Sequence, residues 1–343
     1  MSGRAFILGG TGQIGRAMAG DLLAVGWDVT VSHRGANPPP AKLVECGARI
    51  VVLDRDNPDD LARALGTGTD ALIDTAAYDL GHARQLIALQ SSVGGFVVIS
   101  SASVYRDRLG RNLSEASGNG FPELPDPIPE THPTVEPGPT TYSTRKVALE
   151  RHLLDETTAP VTILRPCAIH GLGSRHPREW WFVKRILDNR RAIPLAYRGT
   201  SRFHTSSVAN IAALTRVALE TPGRRVLNIA DPSAPSVAEI AALIARHLGY
   251  DGDLVAVDEP DYPPSVGTTP WSVPRPFVLD CRAALDLGYA PAMTYEDAVK
   301  PLCDWLVATA GDGDWTERFP VLAGYPWDLF DYAAEDAFLA TRR

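Results

Sequence analysis

The sequence predicts an α/β fold, with a doubly wound parallel sheet and a smaller, mixed C-terminal domain. Strand-like runs alternate with helical patterns in the first half of the 343-residue chain, in the order βαβαβ that builds a parallel sheet. Several runs are apolar throughout, as expected for strands covered by helices on both faces. A glycine-rich turn between the first strand and the first helix completes the pattern.

The predicted strands and helices follow from local pattern and composition. The first strand is residues 6–8, and the helix 13–25 has apolar residues at helical spacing and ends at a glycine. Further strands are predicted at 29–31, 50–53, 71–73, 96–99, 161–164 and 226–229. Residues 178–191 predict an amphipathic helix, and a capping box at 236–239 opens another helix. Proline-rich stretches at 38–40, 121–139 and 260–276 predict loops, either plain surface loops or the rim of a site.

The composition argues against several classes of function. The net charge of −8 disfavours nucleic acid or an anionic membrane as the main partner. No run approaches the ~18 uninterrupted apolar residues of a membrane helix. The N-terminus lacks signal-peptide features, so we expect a cytoplasmic protein. The four cysteines are scattered and indicate neither a metal site nor a disulfide framework.

The glycine turn predicts a dinucleotide site of Rossmann type. Glycines at three-residue spacing allow a tight turn and a close backbone approach to a pyrophosphate, and the following helix N-terminus supplies free N–H groups. The alternative is a structural turn. The predicted contacts are Gly9, Thr11, Gly12, Gln13, Ile14 and Gly15.

The end of the second strand favours NADP over NAD. NAD sites usually carry an acidic residue here for the ribose 2′-hydroxyl, whereas residues 31–35 contain no carboxylate. Arg34, with His33, is suited to a 2′-phosphate. Alternatively, Arg34 is a solvated surface arginine, so NAD is also possible.

A catalytic group is predicted around Tyr142 and Lys146. These residues share a helix face, and a neighbouring ammonium lowers the pKa of a tyrosine by favouring the phenolate. Ser101 and Ser103 follow the strand 96–99, at the carboxyl edge of the sheet where ligands bind.

Taken together, these motifs resemble the extended short-chain dehydrogenase/reductase superfamily. The resemblance spans about residues 3–309. The motifs are the glycine turn at 9–15, LDR at 53–55, DTAA at 74–77, SSASVY at 100–105, YSTRK at 142–146, LRP at 164–166, IHG at 169–171, RFHT at 202–205 and DCRAAL at 280–285.

The resemblance implies roles for individual residues. Tyr142 is the general acid–base, Lys146 holds the nicotinamide ribose, and Ser101 binds the reacting carbonyl, with Ser103 as its rival. Asp54 and Arg55 flank the adenine, and Thr75, Ala76, Ala77, Pro166 and Ile169 line the cofactor. The substrate candidates are Tyr78, Ser103, His170 and Arg202. His170 is better explained as a packed histidine, and Arg202 is equally well explained as part of a structural ion pair.

The combined prediction is an NADP-dependent oxidoreductase that interconverts a carbonyl and an alcohol on a small organic substrate. One alternative is a nucleotide-sugar epimerase or dehydratase with tightly bound NAD, although no Asn follows Arg165, where such relatives often carry one. Another is a non-catalytic dinucleotide sensor or RNA-contacting scaffold. We expect a dinucleotide-binding domain at 1–170, completed by part of 205–230, and a substrate-binding region at 171–204 and 231–343. Analogy suggests a homodimer.

Overall fold

The computed structural model describes residues 3–35, 39–258, 263, 265–310 and 313–342. Parts of two predicted proline-rich loops, at 38 and within 260–264, lie outside this description. The strands are β1 (Arg4–Leu8), β2 (Asp28–His33), β3 (Arg49–Val52), β4 (Ala71–Asp74), β5 (Phe96–Ile99), β6 (Val161–Pro166), β7 (Ala168–His170), β8 (Ala192–Leu195), β9 (Thr205–Ser207), β10 (Arg224–Ile229) and β11 (Asp253–Ala256).

The α-helices alternate with these strands in the first half and dominate the C-terminal part. They are α1 (Gln13–Ala24), α2 (Ala41–Glu45), α3 (Pro58–Leu65), α4 (Leu80–Ala88), α5 (Ala116–Asn119), α6 (Tyr142–Glu156), α7 (Trp180–Leu187), α8 (Val208–Glu220), α9 (Val237–Leu248), α10 (Arg282–Asp286), α11 (Tyr295–Ala310), α12 (Trp315–Arg318), α13 (Pro320–Ala323) and α14 (Tyr332–Ala340). None is long and apolar enough to cross a membrane, among the residues described.

The chain divides into two compact units. The first comprises Met1–Cys167, Val208–Ala230 and Leu279–Ala292, and the second comprises Ala168–Ser207, Asp231–Val278 and Met293–Arg343. The segment 279–292, which we expected in the substrate-binding region, groups with the first unit. One reason is visible locally, because Ile128 bridges Leu279 and Asn228 donates to the carbonyl of Asp280.

The first unit contains the predicted parallel sheet, which is confirmed. Seven parallel strands lie in the order β10-β6-β5-β4-β1-β2-β3. Apolar residues of α3, α4 and α6 pack on one face, while α1 and α8 pack against each other. The register pairs Leu8 with Asp74 and Ile99 with Leu164, so the carboxyl ends of the central strands meet at one edge.

The second unit is built from two small parallel sheets and several helices. The sheets pair β7 with β9 and β8 with β11. Its core is rich in aromatic side chains, including Trp181, Trp271 and Phe319, each at most 1% exposed. The helix predicted at 178–191 is shorter than expected, because Asn189 adopts a φ of +57° and the N–H of Arg190 bonds to the carbonyl of Arg185, a left-handed helix end.

Candidate active site

The glycine turn brings the main chain close to neighbouring side-chain and backbone atoms. Gly9 has a φ of +73°, and a Cβ there would lie 2.6 Å from Oγ1 of Thr75. A Cβ on Gly15 would lie 2.5 Å from the carbonyl oxygen of Gly9. Gly12 precedes α1, and within the described residues no side chain caps this helix end. The first-turn N–H groups are therefore available to an anion.

A buried polar atom also marks this cradle. Oε1 of Gln13, the first residue of α1, is buried and has no hydrogen-bond partner among the described residues. Such atoms in native proteins are usually satisfied by a ligand or water. The glycine turn and Gln13 therefore fit a bound dinucleotide.

At the end of β2, the two residues predicted to select the cofactor differ in environment. His33 is half-buried, and its Nδ1 accepts a hydrogen bond of 3.2 Å from the N–H of Gly35. Arg34 is exposed, and no salt bridge links it to a carboxylate in the described part of the chain. Its guanidinium is thus available to an anionic ligand.

The two residues predicted to flank the adenine diverge. Asp54 is exposed after β3. Arg55 is buried, and its Nη1 donates to both carboxylate oxygens of Asp74, at 2.8 and 2.7 Å. The Arg55 guanidinium is therefore engaged by Asp74 inside the unit. Only Asp54 remains a candidate for a side-chain contact with the adenine.

Residues 75–77 connect the ends of three strands. Oγ1 of Thr75 donates to the carbonyl of Leu8 over 2.8 Å, which ties this loop to the glycine turn. The N–H of Ala76 donates to Asp74 over 2.9 Å. The carbonyl of Ala77 accepts a hydrogen bond from Lys146. Asp74, which we did not single out from the sequence, thus holds this loop in place at the edge of the sheet. The sequence feature that could have identified it is a carboxylate at the end of an apolar strand.

Helix α6 starts at Tyr142 because of a capping box. The Thr141 side chain accepts from the N–H of Thr144, and the Thr144 side chain accepts from the N–H of Thr141. Lys146, one turn later, is 5% exposed. Its Nζ donates to the carbonyls of Ala77 and Ile99, at 2.5 and 2.9 Å.

The Lys146 ammonium lies 5.7 Å from the centre of the Tyr142 ring. Burial lowers the pKa of Lys146 to about 8, although the carboxylates of Asp74 and Glu150 oppose this effect. An ammonium has three donors, and two of them end on carbonyls of the unit.

Tyr142 lies beside Ser101 and Tyr78. Its ring is 40% exposed and lies 5.7 Å, centre to centre, from the Tyr78 ring. Burial raises the pKa of Tyr142, while hydrogen bonding of the ionised phenol by Ser101 lowers it. The lowered pKa that we expected from Lys146 is thus absent in the free protein, because burial dominates. At neutral pH Tyr142 carries its proton and is ready to act as an acid.

Ser101 and Ser103 are joined to each other. The Ser101 hydroxyl donates to Oγ of Ser103 over 3.0 Å, and the N–H of Ser103 donates back to Oγ of Ser101 over 3.1 Å. Ser103 is 7% exposed. The structure therefore brings together five predicted site residues within the first unit: Ser101, Ser103, Tyr78, Tyr142 and Lys146.

The remaining predicted residues lie elsewhere in the fold. Pro166 is buried at the end of β6 in the first unit, whereas the others belong to the second unit. Ile169 pairs with Ser206 between β7 and β9. His170 is buried and bonds to Asp231 over 2.7 Å, which matches a packed histidine. Arg202 is half-buried, and its carbonyl accepts from the N–H of Phe277.

Solved structures of an epimerase, a dehydratase and a third NAD-bound enzyme resemble this chain. A UDP-glucose 4-epimerase from Thermotoga maritima, solved with UDP-glucose, is 18% identical, with a TM-score of 0.67 over 90% of this chain and 99% of that chain. A dTDP-glucose 4,6-dehydratase from Bacillus anthracis, solved with NAD, is 16% identical, with a TM-score of 0.68 over 93% and 99%. The Bordetella bronchiseptica enzyme WbmG, also with NAD, is 18% identical, with a TM-score of 0.67 over 90% and 95%.

No curated protein matches the sequence. A family model does match, over more than half of the chain. The model of the NAD dependent epimerase/dehydratase family matches residues 5–230, which include the glycine turn and the YSTRK segment. The expected likeness to the extended short-chain dehydrogenases/reductases is confirmed. This chain belongs to the NAD-dependent epimerase/dehydratase family and is an enzyme of that extended type.

Proposed function

We propose that this enzyme interconverts a carbonyl and an alcohol on a small organic substrate, with NADP as the preferred cofactor. The observation that carries the proposal is that Tyr142, a phenol whose pKa burial raises, lies beside the Ser101 hydroxyl and has the buried Lys146 ammonium 5.7 Å from its ring centre. General acid catalysis needs such a proton within reach of the developing oxyanion.

The cofactor would be held by the glycine turn, the first turn of α1, Asp54 and residues 75–77. When bound, the nicotinamide supplies or accepts the hydride. Lys146 has one donor beyond the bonds to Ala77 and Ile99, and this donor is suited to a ribose hydroxyl. Arg34 is suited to a 2′-phosphate because its exposed guanidinium offers two parallel hydrogen bonds.

In the direction of reduction, Ser101 and Tyr142 both act on the substrate oxygen. Ser101 donates a hydrogen bond to the carbonyl and so favours charge on its oxygen in the transition state. Tyr142 transfers its proton to that oxygen, and the remaining phenolate is stabilised by the positive charge of Lys146. In oxidation the same groups act in reverse, with Tyr142 as the base.

A dehydratase needs an acid or base beyond Tyr142, and the two carboxylates near Lys146 do not supply one because both are paired with arginines. Asp74 and Glu150 are the carboxylates that act electrostatically on Lys146. Asp74 is paired with Arg55, and Glu150 is paired with Arg165 at 2.5 Å. Neither is free to move a proton for the substrate.

A nucleotide-sugar epimerase is the second candidate, because the structurally similar proteins include a UDP-glucose 4-epimerase and a dTDP-glucose 4,6-dehydratase. An epimerase needs no additional carboxylate, and it uses its cofactor without net consumption. A homodimer, proposed by analogy alone, is a further expectation that sedimentation velocity tests.

Absorbance at 340 nm distinguishes the two functions. The purified enzyme is mixed with NADPH or NADH and a panel of aldehydes and ketones, and separately with UDP- and dTDP-sugars. We expect net oxidation of NADPH with one alcohol formed per NADPH consumed. Conversion of a nucleotide sugar into an isomer of the same mass, with no net absorbance change, would contradict the oxidoreductase and establish the epimerase.

A further inference from the structure

Four serine hydroxyls form a connected chain that ends beside Tyr142. We call Ser101, Ser103, Ser143 and Ser114 the serine chain. Ser143 is the residue after Tyr142 in α6 and is fully buried. Its hydroxyl lies 2.8 Å from the main-chain carbonyl oxygen of Ser103 and 3.2 Å from Oγ of Ser103. Ser114 lies 2.6 Å from Ser143, oxygen to oxygen.

The protons of this chain can be assigned by counting. Each hydroxyl has one proton and two acceptor lone pairs. Ser143 donates to the carbonyl of Ser103 over 2.8 Å and shares the same proton with Oγ of Ser103 over 3.2 Å, so the short contact with Ser114 requires Ser114 to donate. The proton of Ser103 itself is then required by neither Ser143 nor Ser114.

The free proton of Ser103 matters because Ser101 has only one proton, and both Ser103 and the substrate oxygen can accept it. In the free protein Ser101 donates to Oγ of Ser103. When Ser101 donates to a substrate oxygen instead, its bond to Ser103 survives only if Ser103 donates in return. Ser101 then accepts both the N–H and the O–H of Ser103, and all its hydrogen-bonding capacity is used.

We infer that Ser103 is a positioning residue that directs the Ser101 proton to the reacting oxygen, and that Ser143 and Ser114 hold Ser103 in place for this reversal. The inference rests on the proposed function. It involves only rotation of two hydroxyl groups, so no covalent bond forms or breaks. Hydrogen bonds arranged in series also polarise one another, which makes Ser101 a stronger donor to an oxyanion.

The burial of the serine chain supports this role. Ser103 and Ser143 are 7% and 0% exposed, so bulk water does not readily replace a missing hydroxyl. Ser100 offers a matched control, because it is 3% exposed, adjoins Ser101, and its hydroxyl has no partner among the described residues. Ser100→Ala removes a buried hydroxyl without touching the chain.

The first experiment compares Ser103→Ala, Ser103→Thr and Ser100→Ala, each checked for an unchanged circular dichroism spectrum. We expect Ser103→Ala to lower kcat about tenfold and to leave the KM for the cofactor unchanged. Ser103→Thr keeps the hydroxyl and should retain kcat within about twofold, as should Ser100→Ala. Equal losses in Ser103→Ala and Ser100→Ala would overturn the inference, as would failure of Ser103→Thr to restore activity.

A double-mutant cycle with Ser101→Ala separates positioning from general structure. If Ser103 acts only through Ser101, adding Ser103→Ala to Ser101→Ala should change the residual kcat less than about twofold. A further tenfold loss in that background would show that Ser103 acts independently of Ser101 and would refute the inference.

A third readout needs no substrate. The phenol of Tyr142 is titrated by difference absorbance against Tyr142→Phe after a rapid pH jump. Because Ser101 stabilises the phenolate by donating to it, Ser103→Ala should raise this pKa in the same direction as Ser101→Ala, and Ser103→Thr should not. An unchanged titration in Ser103→Ala overturns the inference. Absence of turnover with every carbonyl would refute the proposed function alone.

Discussion

Arg55 binds Asp74 through a two-pronged contact in which one guanidinium nitrogen reaches both carboxylate oxygens, at 2.8 and 2.7 Å. The side chains are 10% and 0% exposed. Asp74 also accepts from the N–H of Ala76, so this pair fixes the loop that carries the Ala77 carbonyl to Lys146. The ion pair therefore links the stability of the sheet edge to the position of Lys146 in the proposed catalytic group.

Breaking this pair should be costly. We expect Asp74→Asn to lower the free energy of unfolding by about 3 kcal/mol, since Arg55 would keep its charge in a buried place. Urea denaturation measures the change. Asp28→Asn, which breaks an exposed pair with Arg49, should cost less than about 1 kcal/mol. Similar costs for the two variants would show that the buried pair has no special weight.

Helix α1 contains one glycine with no room for a side chain, Gly15, and one with open space around it, Gly20. A Cβ on Gly15 would lie 2.5 Å from the Gly9 carbonyl and 2.6 Å from Cα of Gly10. Gly15→Ala should therefore distort the turn and weaken dinucleotide binding at least about tenfold. Gly20→Ala meets nothing within 4 Å and should bind normally while gaining about 0.5–1 kcal/mol of stability. Isothermal titration with NADPH and thermal melts check both; normal binding by Gly15→Ala contradicts the cradle.

We propose that cofactor selectivity depends on Arg34. Its guanidinium can make two charge-assisted bonds to a 2′-phosphate, and solvent screening at this exposed position reduces their strength. We expect a preference for NADP over NAD of at least about tenfold, or ~1.4 kcal/mol. Arg34→Ala should weaken NADP much more than NAD, and His33→Asp should shift the balance further toward NAD. Titration of both cofactors measures this.

The control for Arg34 is Arg63→Ala, at an exposed arginine of α3. It should leave both affinities unchanged. Equal affinities of the wild type for the two cofactors, or an NADP affinity indifferent to Arg34→Ala, would show that Arg34 is a surface residue without a role in selection.

The buried Lys146 makes stability depend on pH. Burial lowers its pKa from 10.5 to about 8. Between these values the unfolded chain holds a proton that the folded protein lacks, so the contribution of Lys146 to stability rises with pH across this window and is lost as pH falls through 8. The wild type should gain about 3 kcal/mol relative to Lys146→Met between pH 8 and 10.5.

Urea denaturation at several pH values measures that gain. Lys300→Met, at a half-exposed lysine of α11, is the matched control and should run parallel to the wild type. If Lys146→Met also runs parallel to the wild type, the ammonium is not desolvated as the structure indicates.

Much of this fold was predictable because local signals and global topology agree. The glycine turn, the apolar strands and the return of residues 226–229 to the sheet follow from pattern alone. The proximity of Tyr142 and Lys146 was predictable because their spacing on a helix requires no long-range information. The ion pair of Arg55 was not predictable, because its partner lies nineteen residues away. No local sequence feature distinguishes a buried guanidinium from one that contacts the adenine.

The pKa of Tyr142 and the contacts of the serine chain could not be predicted either, because both depend on residues that are distant in the sequence. The spacing of Tyr142 and Lys146 indicates proximity, but the balance between burial and charge depends on the packed side chains around them. Likewise, Ser143 meets Ser103 across forty residues. The sequence shows two serines near the site without showing that their hydroxyls are in contact.

The central claim is that Tyr142 is the proton donor and acceptor of the reaction. The most direct measurement compares kcat and the NADPH dissociation constant of the wild type, Tyr142→Phe and Tyr250→Phe, the last being a tyrosine of the second unit outside the proposed site. Loss of a general acid should lower kcat of Tyr142→Phe at least about 10²-fold, with NADPH binding within about twofold and Tyr250→Phe unaffected. Turnover by Tyr142→Phe at the wild-type rate, with NADPH binding intact, would contradict the claim.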